Sequence, residues 1–207
     1  CVEEDDLVGA RRFLREILLR RDADSVRAFA EREIGRLNIK LLFADRPMPE
    51  KVKHRVASGE VVSRLAKRYG NTPELILKAN GIDRPERLRI GREIWVLDAP
   101  VFDLTVYKNG GSAVLTLNGS FFKRYPLLGG IPVKAPSGTY ALRGKVALDG
   151  VWRIMLAATG ATPEAEGLAL HGGADTPATD DRIRFATSDI EELSVLLPVG
   201  AAVNIAE

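Results

Sequence analysis

The chain has 207 residues, of which 45% are hydrophobic and 28% are charged, so it is long enough for more than one small globular domain. No apolar run approaches the ~20 residues that a membrane-spanning helix needs, and a single cysteine excludes a disulfide framework within the chain. The net charge of +2 divides into −1 for residues 1–50, +5 for residues 51–98 and −2 for residues 99–207. The basic middle favours an anionic polymer, but it is too weakly charged and too poor in aromatic residues to predict nucleic-acid binding.

The cysteine is Cys1, and two interpretations of it stay open. One is the lipid-bearing N-terminal residue of a bacterial lipoprotein, with the acidic residues 3–6 as a disordered tether behind the anchor. The other is simply the boundary of the sequence, since no lipobox is visible in it. A lipid anchor at Cys1 is therefore an expectation.

Residues 1–50 are predicted to form a helical hairpin followed by a linker. Apolar residues recur at three- and four-residue spacing over residues 7–18 and again over residues 26–37, as they do on amphipathic helices. Residues 22–25 interrupt the pattern and supply side-chain oxygens for a new N-cap. The apolar stripes need a partner, either each other or a neighbouring domain. Two prolines within residues 45–50 predict a linker without regular structure.

The middle segment is predicted to fold as strand, helix, helix and strand. Residues 54–57 alternate like a short strand, and a helical face follows over residues 61–69 until Gly70, a residue typical of the position after a helix C-terminus. Thr72 is expected to be the N-cap of the second helix. Residues 88–96 lead into the closing strand.

This order, in fewer than fifty residues, resembles the LysM module. The matching residues are His54-x-Val56-x-Ser58-Gly59-Glu60, Leu65-Ala66-x-x-Tyr69-Gly70, Leu75-x-x-x-Ala79-Asn80-Gly81-Ile82 and Leu88-x-Ile90-Gly91. The resemblance implies an N-acetylglucosamine polymer as ligand, either peptidoglycan or chitin, in a shallow groove between two loops. Carried over by position, the groove residues are Ser58, Gly59, Glu60 and Val61 on one side and Asn80, Gly81, Ile82 and Leu88 on the other.

An alternative for these groove residues is that they only form the turns, and we favour it for Gly59, Gly70 and Gly91. Contact with sugar is then a property of the loop backbones as a set. His54 is expected to be a strand residue rather than a ligand or a base. One shallow site implies weak affinity, which a second contact would strengthen.

Residues 99–207 are predicted to be mostly β-structure, with turns at Asn109-Gly110-Gly111 and Asn118-Gly119 that predict hairpins. A helix is expected from Ser188 to Leu197, with Ser188 or Thr187 as its cap. This segment resembles the L,D-transpeptidases, which cross-link peptidoglycan stems through a cysteine thiolate. The residues that carry the resemblance are Pro136-x-Gly138-Thr139-Tyr140, Leu168-Ala169-Leu170-His171-Gly172, Ile183-Arg184 and Gly200-x-x-Val203-x-Ile205.

The departure from this family lies in its Ser-His-Gly-Cys-hydrophobic-Arg motif. Alignment on Ile183-Arg184 places Thr179, Asp180, Asp181 and Arg182 at the first four positions. The nucleophile, the adjacent base and the glycine are therefore absent from the motif, and arginine is no nucleophile at physiological pH. The resemblance consequently implies a degenerate site, in which His171 keeps its place at a strand end as a possible residual base. The segment between Val146 and Leu168 also looks abbreviated.

Other residues could replace the missing chemistry. Ser137, Thr139 and Thr179 are candidate hydroxyl nucleophiles, although each needs a positioned histidine and the first two are expected to shape a turn. Asp175, Asp180 and Asp181 lack the regular spacing of cation ligands, so we expect a solvated loop or salt bridges to Arg182 and Arg184 and no metal. No cofactor is implied.

The sequence therefore predicts an α+β protein with a helical hairpin and linker (1–50), a LysM module (51–98) and an L,D-transpeptidase-like β-domain (99–207). The predicted function is non-catalytic binding of peptidoglycan in the bacterial cell envelope, outside the cytoplasm. Two alternatives stay open. The first is a cell-wall enzyme with a relocated nucleophile, and the second is an envelope scaffold whose hairpin recruits another protein. An exposed apolar patch on the hairpin would support the second.

Overall fold

The computed structural model describes residues 6–20, 24–129, 135–159, 167–173 and 182–207. The helices are α1 (Leu7–Leu19), α2 (Asp24–Leu42), α3 (Val62–Tyr69), α4 (Pro73–Ala79) and α5 (Thr187–Leu196), with a 3₁₀ turn at Pro85–Arg87. The strands are β1 (Lys51–Arg55), β2 (Glu93–Leu97), β3 (Phe102–Tyr107), β4 (Ser112–Leu117), β5 (Ser120–Pro126), β6 (Gly138–Leu148), β7 (Val151–Ala158), β8 (Ala169–Gly172), β9 (Arg182–Phe185) and β10 (Ala202–Ala206). These elements confirm the predicted α+β class.

The chain forms two compact units, Cys1–Pro100 with Phe121–Lys123, and Val101–Ser120 with Arg124–Glu207. Among the described helices, none is long and apolar enough to cross a membrane. The division of the chain into three functional parts stays a prediction.

The first unit begins with the predicted pair of packed helices, α1 and α2. Asp6 caps α1 by accepting a hydrogen bond of 2.7 Å from the Gly9 backbone N–H. Helix α2 extends five residues beyond the apolar pattern that predicted it, because Leu41 and Leu42 are both buried in the core of this unit. The side chain of Lys51 is also buried, and its ammonium donates to the carbonyl of Leu41 near the end of α2, at 2.9 Å.

A buried polar network fixes the predicted linker. Arg11, on the charged side of α1, is only 2% exposed. Its guanidinium donates to Glu50 through Nη1 at 2.9 Å and through Nη2 at 2.6 Å, and its Nε donates to the Asn38 side-chain oxygen. Burial by itself would raise the pKa of Glu50, but the bonds and charge of Arg11 outweigh it and lower that pKa. Residues 45–50 are irregular, as predicted, yet they are held by this ion pair at their end.

The middle segment forms the predicted strand–helix–helix–strand arrangement. Strands β1 and β2 pair antiparallel, with Arg55 opposite Glu93. Gly70 follows α3 with φ +69°, and the Thr72 hydroxyl accepts from the Leu75 N–H at 3.0 Å to cap α4, so both helix-end predictions are confirmed. Strand β2 begins at Glu93, after the chain turns at Gly91, which has φ +81°.

The second unit is built on an eight-stranded sheet of order β5-β4-β3-β10-β6-β7-β8-β9. The hairpin between β4 and β5 turns at Asn118 and Gly119, both with positive φ, as their sequence predicts. Strand β7 lies within the segment that looked abbreviated, and it pairs with the long strand β6. The cap predicted for α5 is wrong: Ala186 occupies the N-cap position without a side-chain bond, and Thr187 is already helical.

Candidate functional site

The two loops predicted to form the glycan groove lie in the first unit, one after β1 and one after α4. Gly59 and Gly81 both have positive φ, +77° and +59°, which a residue with a side chain adopts only at a cost. Four of the predicted residues are exposed: Ser58, Gly59, Val61 and Gly81. The first loop therefore offers backbone groups and one apolar side chain, Val61, to a ligand.

Glu60 uses its carboxylate within the fold. Its Oε2 lies 2.7 Å from His54 Nε2, which donates to it, and it also accepts from the Ala57 N–H at 2.8 Å. The other ring nitrogen of His54 lies 3.0 Å from the hydroxyl of Tyr69. The Ala57 bond, followed by the bond from His54, lowers the pKa of Glu60. The carboxylate thus holds the first loop in shape, and His54 is placed in strand β1 as the sequence indicated.

The second loop is also held by one of its predicted contact residues. The amide of Asn80 donates to the Trp95 carbonyl at 2.8 Å and accepts from the Trp95 N–H at 2.7 Å, as a neighbouring strand would. Ile82 is buried in the core of the module, and Leu88 packs against that core. The side chains of Asn80, Ile82 and Leu88 therefore serve the fold. Among the predicted contact residues of the second loop, Gly81 is the exposed one.

A third turn, residues 89–92, lies beside both loops and was missed by sequence reasoning. Val56, at the start of the first loop, accepts from the Gly91 N–H at 2.8 Å and donates to the Arg92 carbonyl at 3.0 Å. The Arg92 guanidinium donates to the Asn80 carbonyl of the second loop at 2.8 Å. Ile90, at the tip of this turn, is 69% exposed, and Val61 is 50% exposed. The sequence signal for this turn is Arg89-Ile90-Gly91-Arg92, in which an apolar residue and a glycine lie between two arginines just before a strand.

In the second unit, the motif positions of the sequence analysis are only partly described. Thr179, Asp180 and Asp181 lie outside the described residues, as does Asp175. Arg182 begins β9 and is half-buried. What the sequence predicts for Thr179, Asp180 and Asp181 therefore stays a prediction.

His171 lies in β8, next to Arg153 of β7 on one side and Arg184 of β9 on the other. Its side chain is 3% exposed. Burial lowers the pKa of His171, and the positive charges of Arg153 and Arg182 lower it further. A neutral imidazole at neutral pH could accept a proton, but its burial and cationic surroundings oppose the charged form that a general base must become.

The hydroxyl groups of Ser137 and Thr139 are directed to other partners. Ser137 donates to Glu207 at 2.5 Å, and Thr139 donates to the side-chain oxygen of Asn204 at 2.9 Å. Thr139 lies beside Thr159, just past the end of β7, whereas His171 lies beside Arg153 near its start. At the rise of a β-strand the two positions are about 20 Å apart along β7. Neither hydroxyl forms a nucleophile–base pair with His171.

Within the described ranges, no group of three or more His, Cys, Asp or Glu side chains is placed to hold a metal ion.

Residues 54–97 match the LysM domain family, so the chain contains a LysM domain where its sequence predicted one. A comparison with curated proteins gives no match.

Two solved structures show the similarity of the chain to L,D-transpeptidases. One is an L,D-transpeptidase from Mycobacterium smegmatis, with 11% sequence identity and a TM-score of 0.42 over 56% of this chain and 64% of the other. The second is an L,D-transpeptidase from Mycobacterium tuberculosis H37Rv, with 16% identity and a TM-score of 0.42 over 57% and 63%. The matches span less than two thirds of these two proteins. Both are members of the family that the sequence motifs resemble, but at these TM-scores the likeness carries no argument about activity.

Proposed function

We propose that this protein binds peptidoglycan in the bacterial cell envelope without catalysing its cross-linking. The observation that carries the proposal is a LysM domain with exposed glycine turns at Gly59 and Gly81 and exposed apolar side chains at Val61 and Ile90. Glycine turns let amide groups approach an acetamide, and exposed apolar residues such as Val61 and Ile90 can contact the apolar face of a sugar ring. The glycan polymer is therefore the ligand, and N-acetylglucosamine is its recognised unit.

Co-sedimentation of the full chain with insoluble peptidoglycan sacculi tests this proposal. The protein is expected to pellet with sacculi and to be released by soluble N-acetylglucosamine oligomers. A protein that stays in the supernatant at all sacculus concentrations would contradict the assignment. In that case the scaffold alternative would become the better explanation of the chain.

We propose that the β-domain is not catalytic because the nucleophile and base of the L,D-transpeptidase motif are missing from its sequence. The sequence places Thr179 to Arg182 where the L,D-transpeptidases have Ser-His-Gly-Cys, and Ser137 and Thr139 bond elsewhere than to His171. The β-domain would then retain affinity for stem peptides or dock a partner. Incubation with disaccharide stem peptides, followed by mass spectrometry, is expected to return unmodified substrate. A cross-linked or shortened peptide would establish the enzyme alternative with a relocated nucleophile.

One observation favours the scaffold alternative as a second candidate. The helical hairpin exposes Phe13 by 63%, Leu19 by 84% and Phe29 by 54%. A contact area for a partner would need these three side chains to act together, since single exposed apolar residues are ordinary on protein surfaces. Serine substitutions at these three positions separate the two functions, because they would abolish association with an envelope protein while leaving sacculus binding unchanged.

An extracytoplasmic location follows from the proposed ligand. Lipid attachment at Cys1 is part of this proposal only as an expectation from the sequence. Metabolic labelling with a fatty-acid probe, compared between the native chain and Cys1→Ser, tests it directly.

A further inference from the structure

Two arginines hold the two predicted groove loops by the same kind of contact. Arg64 Nη1 donates to the Gly59 carbonyl in the first loop at 3.1 Å. Arg92 Nη2 donates to the Asn80 carbonyl in the second loop at 2.8 Å. Both arginines are exposed, so each loop carries a solvent-facing guanidinium beside its backbone.

These guanidinium groups have hydrogen-bonding capacity to spare. A guanidinium carries five N–H donors, and the contact with the loop carbonyl engages one nitrogen of each. Among the residues that the structure describes, no acidic side chain forms an ion pair with Arg64, Arg89 or Arg92. The remaining donors therefore face water and are available to a ligand.

Three acids near the loops have partners within the module. Glu60 accepts from His54 and lies 3.5 Å from Arg68, and Glu93 lies 3.0 Å from Lys53. Asp83 is paired with Arg87 at 3.0 Å. Residues 51–98 carry a net charge of +5 with all of their acids counted, so the segment that contains the loops is positively charged.

The third turn combines charge with an apolar surface. Ile90 is exposed between Arg89 and Arg92, and Arg92 bridges to the second loop. A neutral sugar polymer could use the apolar side chain and the loop backbones, and the guanidinium donors would then stay bonded to water. A carboxylate would accept from them in the short, charge-assisted geometry that arginine favours.

We propose that this site recognises glycan strands that carry free carboxylates, and that Arg64, Arg89 and Arg92 select them over neutral N-acetylglucosamine polymers. The carboxylates are those of peptidoglycan stem peptides close to the sugar backbone. This inference rests on the proposed function, because it names the substrate class of the same site. Its signature is a preference for peptidoglycan over chitin that weakens with salt, since exposed charges are screened within about 10 Å at moderate ionic strength.

The test measures binding of the full chain to three insoluble polymers: native sacculi, sacculi whose carboxylates have been amidated, and chitin. Native sacculi are expected to bind about tenfold more tightly than amidated sacculi, the factor typical of one or two charge-assisted bonds. Amidated sacculi and chitin are expected to bind alike. Equal affinity for native and amidated sacculi overturns the carboxylate inference and leaves the proposed function intact. Absence of binding to all three polymers overturns the proposed function itself.

Variants assign the effect to the arginines. Arg89→Gln is the most direct test, because the structure describes no contact of the Arg89 side chain with either loop. The substitution removes a charge and leaves the hydrogen bonds to the loop carbonyls in place. Arg89→Gln is expected to reduce the ratio of the affinities for native and amidated sacculi several-fold. The double variant Arg64→Gln/Arg92→Gln is expected to abolish this preference. Arg12→Gln, an exposed arginine on α1, is the matched control and is expected to leave the difference unchanged. An unchanged preference in both Arg89→Gln and the double variant would overturn the role of the arginines.

Discussion

The carboxylate of Glu60 and the ring of His54 form a 2.7 Å hydrogen bond that ties the first groove loop to strand β1. Glu60 was predicted from the sequence to be a glycan contact, and its carboxylate is turned to the protein instead. The same oxygen accepts from the Ala57 N–H, so one side chain satisfies both the loop and the strand. The shape of the first loop therefore depends on an ionised Glu60.

Acid is expected to weaken the module through Glu60. Its pKa is lowered in the folded chain, chiefly by the Ala57 bond, so its contribution to stability is complete above the unfolded value of about 4.3 and is lost as the pH falls through the folded pKa. Glu60→Gln should remove this dependence. Urea unfolding between neutral and acidic pH, followed by Trp95 fluorescence in a Trp152→Phe background, measures it. Glu86→Gln, which replaces an exposed carboxyl of the same module, should retain the slope of the native chain.

Substitutions of apolar residues around the groove distinguish an effect on sacculus binding from an effect on the stability of the module. Val61→Ala and Ile90→Ser should each weaken sacculus binding several-fold, because each removes exposed apolar surface, while changing the free energy of unfolding by less than about 0.5 kcal/mol. Ile82→Ser, at a buried position, should destabilise the module by about 2–5 kcal/mol. Val199→Ser is the matched control in the second unit, where an exposed valine should affect neither property. Unchanged binding in both groove variants would place the sugar elsewhere.

The Arg11–Glu50 pair should be a major contributor to the stability of the first unit. Arg11→Met leaves a carboxylate in a partly buried site without its bidentate partner, and a cost of about 3–5 kcal/mol is expected in denaturant unfolding. The neighbouring exposed residue gives the control, since Arg12→Met should change stability by less than about 0.5 kcal/mol. The double variant Arg11→Met/Glu50→Met should recover part of the loss, because it removes both charges. Additive losses in the double variant would argue against a direct pair.

His171 should make the second unit sensitive to mild acid. Its pKa is lowered by burial and by Arg153 and Arg182, so the unfolded chain takes up a proton first as the pH falls below about 6.5. Stability contributed by the neutral ring is therefore complete above that pH and declines as the pH falls toward the folded pKa. Thermal unfolding between pH ~7 and ~5, read from Trp152 in a Trp95→Phe background, should show the decline. His171→Asn should flatten the slope, whatever its effect on stability at neutral pH, and an unaltered slope would exclude His171 as its source.

Local signals in the sequence determined much of the fold. Thr72 caps a helix and Gly70 ends one because capping bonds and left-handed backbone involve residues only a few positions apart. The Asn118-Gly119 turn is fixed by the positive φ that both residues tolerate. The spaced anchors of the LysM domain are likewise a local pattern of turns and apolar faces. Strand β7 was not predicted, because the apolar and polar residues of Val151-Trp152-Arg153-Ile154 alternate imperfectly. Its pairing with β6 stabilises the strand.

Only the tertiary structure decided which polar side chains are free to act. Arg11 lies on a charged helix face, but Asn38 and Glu50, 27 and 39 residues further along, make its burial possible. The side chains of Asn80 and Glu60 are turned inward by their bonds to Trp95 and His54. Ile90 stays exposed, and Arg92 reaches the second loop. The positions of Ser137 and Thr139 far from His171 follow from strand order and register. Sequence periodicity reports which face of an element is apolar, whereas the partner of a buried charge or amide is set by contacts between distant segments.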